Sequence, residues 1–164
     1  MQTPKQSPVV VFQVAMSAIL ALSLVRGPDA AAVTLAPGDL VVIDQHGALI
    51  HVDPQTEQHT VIATAGLCCG HGAQFDLVIN ANRQIVVITN AMPGQSVAAV
   101  VRVNPVDGTQ TVVSQGGFLR GPSSVAIDPS GDIFVWDVTL EGFAIIRIDP
   151  LTGAQTVVTE YVEG

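Results

Sequence analysis

The chain has 164 residues, 48% of them hydrophobic and 12% charged, which suffices for one folded domain and is too apolar for a disordered chain. Six Lys and Arg stand against fourteen Asp and Glu, a formal net charge of −8. That balance argues against nucleic acid and anionic membrane surfaces as partners, since both reward basic patches.

At the amino end, Met1 to Pro8 carries one cation, Lys5, and Val9 to Val25 is apolar apart from Gln13, Ser17 and Ser23. Ala30-Ala31-Ala32 follows as a small-residue cleavage site, so residues 1–32 read as a signal peptide and the mature chain would start at Val33. The competing reading is an uncleaved anchor, because an apolar run of this length is near the lower limit for spanning a bilayer core of about 30 Å, and Arg26 follows it. Under either reading residues 33–164 lie outside the cytosol, secreted or periplasmic, or held at the membrane by residues 9–25.

Beyond Pro37 the chain is a succession of short apolar runs bounded by Gly, Pro, Asp and Asn, the pattern of strands and turns. The first group is Leu40 to Ile43, Ala48 to Val52 and His59 to Ala63. The second is Phe75 to Ile79, Ile85 to Thr89, Val97 to Val103 and Gln110 to Val113. The third is Ser124 to Ile127, Ile133 to Trp136, Phe143 to Ile148 and Gln155 to Val158.

These groups are repeats. Val52-Asp53-Pro54-Gln55-Thr56-Glu57-Gln58-His59-Thr60-Val61-Ile62 matches Val103-Asn104-Pro105 to Val113 and Ile148-Asp149-Pro150 to Val158, with the prolines 51 and then 45 residues apart. Leu77 to Val87 aligns without gaps on Val125 to Val135, and Gly38 to Asp44 matches Gly131 to Asp137. Four strands in a period of this size are a β-propeller blade. The expected fold is therefore all-β, a partial propeller over 33–164 with blades near 37–66, 73–116 and 121–159. The first blade lacks its opening strand, giving about two and three-quarter blades. In each unit the second strand is a continuous apolar run, which predicts burial on both faces between neighbouring blades. Fewer than three blades cannot close a ring, so the remaining blades of a longer propeller, or self-association, are the expected partners.

The I/V-D/N-P-x-T/D-G-x-Q-T-V-V turn and strand, preceded by G-P-x-x-V-A-I-D-x-x-G-D-I-F-V, resembles NHL-type β-propellers, which include the streptogramin lyases and the senescence-marker/gluconolactonase group. The resemblance covers roughly Pro37 to Val158 and implies a blade geometry and a ligand face, with the Asp-Pro turns on the opposite face. The ligand face would collect Asp44, His46, the loop containing Cys68, Cys69 and His71, then Asn90, Arg120, Asp137 and Glu141. The gluconolactonase group holds a divalent metal over its channel, and by loop position Asp44, Asn90 and Asp137 would be its oxygen ligands here. The alternative for Asp44 and Asp137 is that each bonds its own turn backbone. Streptogramin lyases use a His beside acidic partners, which makes His46 and His71 the catalytic candidates.

Read from the residues alone, Cys68-Cys69-Gly70-His71 coincides with a three-residue insertion relative to the next repeat. In an oxidising compartment adjacent cysteines can form a vicinal disulfide. With His46 and His71 they are also soft-metal ligands, or they sit as small apolar side chains in a Gly-rich loop. Trp136 stands where Ile43 and Ile88 stand in the other units, and core packing is its expected role. The expected function is an exported binding or interaction scaffold, with a metal-dependent lyase or lactone hydrolase as the alternative.

Overall fold

The computed structural model describes residues 32–44, 48–63, 76–90, 97–139 and 142–162. These form eleven strands: β1 (Leu40–Ile43), β2 (Leu49–Val52), β3 (His59–Ala63), β4 (Asp76–Ile79), β5 (Ile85–Thr89), β6 (Ala99–Val103), β7 (Gln110–Gln115), β8 (Pro122–Ile127), β9 (Ile133–Thr139), β10 (Gly142–Ile148) and β11 (Gln155–Val162). They make three antiparallel meanders, β1-β2-β3, β4-β5-β6-β7 and β8-β9-β10-β11, consistent with partial propeller blades. The described residues contain no helix, so none long and apolar enough to cross a membrane; the predicted signal or anchor segment lies outside them.

The turns between the last two strands of each sheet show why the repeat reads so clearly. Asp53 Oδ1 accepts the N–H groups of Gln55 and Thr56, Asn104 Oδ1 that of Val106, and Asp149 Oδ1 those of Leu151 and Thr152. The fifth residue of each turn donates back to the first carbonyl: Glu57 to Asp53, Gly108 to Asn104 and Gly153 to Asp149. All three have positive φ, 57°, 69° and 72°, which glycine adopts without steric cost and glutamate does not. At Gly153 a side chain would also collide with the Val113 carbonyl of the preceding sheet.

A second repeated device follows. The pairing of the last two strands of each sheet shifts register, between Leu49 and Ile50, between Val100 and Val101, and between Ile145 and Ile146. These positions are equivalent, so the same bulge bends and twists each sheet.

The sheets pack face on face through two apolar clusters. Val41, Leu49, Ile62 and Ala63 of the first sheet meet Leu77, Ile85, Val87, Ala99, Val101 and Val103 of the second. Val86, Ile88, Ala98 and Val100, on the other face of the second sheet, meet Val125, Ile133, Val135, Ile146 and Ile148 of the third. Val33 and Leu35 extend the first cluster, with Val33 N–H donating to Pro105 O and Arg83 Nη1 to Leu35 O. Neither Val33 nor Leu35 belongs to a strand.

Only β5 is buried at every residue, because only the second sheet has a neighbour on both faces among the described residues. The expectation of two-sided burial therefore fails for β1 and β9. In β9, Ile133, Val135 and Asp137 are buried while Trp136 and Val138 are exposed. Trp136 is 38% exposed, so it is no core residue; its ring stacks on Phe143, centroids 4.4 Å apart, and Phe143 stacks on Tyr161 at 5.4 Å. The last strand also runs past the expected Val158 to Val162, carrying Tyr161 into this row.

Candidate functional site

Two regions hold chemistry-bearing side chains in defined positions: the carboxyl ends of β1, β5 and β9 with the loop into β8, and the outward face of the third sheet. His46, Cys68, Cys69, His71 and Glu141 lie outside the described residues. Asp44, Asn90, Arg120 and Asp137 lie within them.

Asp44 closes the β1–β2 hairpin. Its N–H donates to Ala48 O at 2.9 Å and its Oδ1 accepts Ala48 N–H at 2.8 Å. Asp137, in the equivalent position, does something different. It is 2% exposed, and its Oδ2 accepts the N–H groups of Arg120 (2.9 Å) and Gly121 (3.0 Å), fastening the loop that leads into β8. Val138 N–H donates to Gly121 O alongside, and a side chain at Gly121 would collide with the Val138 carbonyl. Asp137 and Arg120 thus meet through the arginine's backbone, while Arg120 itself is exposed. Thr89, the third equivalent, is fully buried. Next to it, Asn90 Oδ1 is buried with no hydrogen-bond partner among the described residues.

A hard cation needs several oxygens aimed at one point. Asp44 and Asp137 each commit a carboxylate oxygen to backbone N–H groups, and among the described residues no group of three His, Cys, Asp or Glu side chains gathers.

Three arrangements had no local signal in the sequence. Asp76 Oδ2 accepts Ser124 Oγ (2.8 Å) and Val125 N–H (2.9 Å), tying the opening strands of the second and third sheets together. Gln155 clamps the outer seam of the same sheets: its Nε2 donates to Ser114 Oγ and Gly116 O, and its Oε1 accepts Phe118 N–H at 2.7 Å. This seam borders an open groove of about 700 Å³ lined in part by Val112, Phe118 and Thr152. Third, a basic residue recurs on the next-to-last strand of each sheet. His51 Nε2 lies 3.0 Å from Asp39 Oδ2, Arg147 Nε donates to Asp132 Oδ2 at 2.7 Å, and Arg102, whose equivalent partner is Gln84, reaches instead to Pro150 O of the next sheet at 2.7 Å.

The outward face of the third sheet is the largest departure from expectation. Phe134, Trp136 and Val138 on β9, Phe143 and Ile145 on β10 and Tyr161 on β11 share it by register. Val138 is 45% and Tyr161 54% exposed. The available signal was size: Phe134, Trp136 and Phe143 stand where the covered face of the second sheet has Val86, Ile88 and Ala98.

No family profile and no curated protein sequence matches this chain. Among solved structures it is similar to the periplasmic gluconolactonase PpgL of Pseudomonas aeruginosa, with 16% identity over 82% of this chain and 44% of that one, TM-score 0.47. It is also similar to a protein of Bacteroides fragilis provisionally assigned as a 6-phosphogluconolactonase, with 17% identity over 79% and 41%, TM-score 0.47. A protein from Lactobacillus plantarum gives 16% identity over 79% and 44%, TM-score 0.46. Two of these three neighbours carry gluconolactonase names, and the chain spans less than half the length of each.

Proposed function

We propose that the chain is an exported, propeller-type repeat scaffold that acts by binding through its sheet faces and loops. One observation carries the reading: the carboxylates Asp44 and Asp137 hold loops in place, while Trp136, Val138 and Tyr161 present apolar surface to the outside. Contiguous exposed apolar surface of this kind marks an interaction site in a natural protein. Export follows from the amino-terminal segment, as signal peptide or as anchor.

The alternative is a lactone hydrolase or lyase with a divalent metal, and Asn90 is the observation in its favour. A buried amide oxygen without a partner is costly, and a hard cation would satisfy it. His46 and His71 remain the candidates for moving a proton in that reading.

Lactone hydrolysis by the purified full-length chain, with calcium, zinc or a chelator, separates the two. The scaffold predicts a rate equal to the buffer blank in all three. Metal-dependent turnover lost in Asn90→Ala would overturn it.

A further inference from the structure

We infer that the outward face of the third sheet is a docking surface for a second copy of this chain, which seats there the face of its first sheet that carries Leu40, Val42, Ile50 and Val52. The inference rests on the scaffold reading and names its partner.

The internal interfaces dictate the match. On the second sheet, Val86, Ile88 and Val100 are covered by Ile133, Val135, Ile146 and Ile148 of the third. Their equivalents one repeat later, Phe134, Trp136 and Ile145, lie on the outward face beside Val138 and Tyr161. At the other end of the molecule, Leu40, Val42, Ile50 and Val52 are the equivalents of Ile133, Val135, Ile146 and Ile148, and all four are only partly buried. One end therefore carries the covered half of a sheet-to-sheet contact and the other end its covering half.

Polar positions repeat in the same register. Arg102 donates to Pro150 O across the second interface. Its equivalent Arg147 is half-exposed on the outward face, where it pairs with Asp132 and keeps further N–H groups to offer, and the equivalent of Pro150 on an incoming first sheet is Pro54. Ser114 Oγ donates to Gly153 O, and Thr159 keeps a hydroxyl at the Ser114 position, facing the carbonyl of an incoming Glu57. The contact is head to tail. Such an interface propagates unless its rotation closes a ring, and two chains supply six sheets, within the range of about four to eight found in closed propellers.

The test is molar mass by light scattering on the full-length chain and on two variants, Trp136→Glu and Val42→Glu, each checked by circular dichroism and thermal unfolding. Wild type should be a dimer at twice 17.0 kDa, and each variant alone a monomer. Mixed one to one, the variants should form a dimer that grows no further, because Val42→Glu keeps an intact third-sheet face and Trp136→Glu an intact first-sheet face. Should Trp136→Glu fail to fold, Val138→Lys replaces it at an exposed position of the same face. Arg147→Ala should raise the dissociation constant by roughly 10-fold, the loss of one charge-assisted hydrogen bond.

A monomeric wild type overturns the inference, and if Trp136 is then shielded from acrylamide, a segment of the same chain such as residues 9–25 covers the face instead. Variants that keep the wild-type mass, or a mixture that stays monomeric, also overturn it. A monomer without lactone turnover leaves the scaffold reading standing, whereas metal-dependent turnover removes that reading itself.

Discussion

Glu57 holds a backbone conformation that its two equivalents entrust to glycine. Its φ of 57° matches the 69° of Gly108 and the 72° of Gly153, and the hydrogen bonds of the turn are the same in all three. Glu57→Gly should therefore stabilise the fold by about 0.5–1 kcal/mol, read as a rise in Tm. The reverse change, Gly153→Ala, meets both a left-handed backbone and the Val113 carbonyl, and should cost at least 1–3 kcal/mol or so. Turn aspartates set the acid response. Asp149 is held below the ordinary 3.8 by the N–H groups of Thr152 and Leu151, and Asp53 by the Gln55 N–H and the Thr56 hydroxyl. The Ser130 hydroxyl does the same for Asp128, and the Thr109 N–H for Asp107. A carboxyl that ionises more readily folded than unfolded lends stability above its unfolded value and loses it as pH falls towards its folded value. Tm should thus be level above about pH 5 and fall below about pH 4, and Asp149→Asn should flatten that fall.

At the scale of the strand and sheet, equivalent residues have unequal weight because their neighbours differ. Ile88 is fully buried under the third sheet, so Ile88→Ala should cost about 2–5 kcal/mol. Trp136→Ala, one repeat later, removes mainly a stacked ring and should cost about 0.5–1.5 kcal/mol in a monomer. Urea unfolding of both variants at low protein concentration measures the contrast. The strands themselves were legible in the sequence, because each is bounded by residues with a steric or hydrogen-bonding reason to turn, such as Asp149, Pro150 and Gly153. Which face would stay uncovered was not legible: Ile133, Phe134, Val135 and Trp136 form the same continuous apolar run as Ile85 to Ile88. Nor was the role of Asp137. An aspartate after an apolar run suggests a turn bond like that of Asp44, yet its partners, Arg120 and Gly121, lie 17 and 16 residues back. Asp76 and Gln155 act over still longer separations, 49 and 41 residues, where local pattern carries no information.

For the whole molecule, the internal repeat fixes the contacts among the three sheets and motivates the proposed contact with a second copy. If a second copy covers the outward face, stability becomes a function of concentration, since only the folded chain offers both halves of the interface. Tm should rise with protein concentration in wild type and stay constant in Val42→Glu, measured by scanning calorimetry from about 1 to 100 μM. The Asp137 clasp, the Gln155 clamp and the Asp76 bridge all lie within or between the second and third sheets. Among the described residues, the corresponding first seam is held from outside the strands by Val33 N–H to Pro105 O and Arg83 to Leu35 O. The complete burial of β5 gives this asymmetry a kinetic form. Amide protons of Ile85 to Thr89 can reach deuterated solvent only after a flanking sheet has lifted away, and the three-stranded first sheet should lift before the four-stranded third. Exchange should accordingly be slowest in β5, and protection should vanish from β2 and β3 well before it vanishes from β9 and β10.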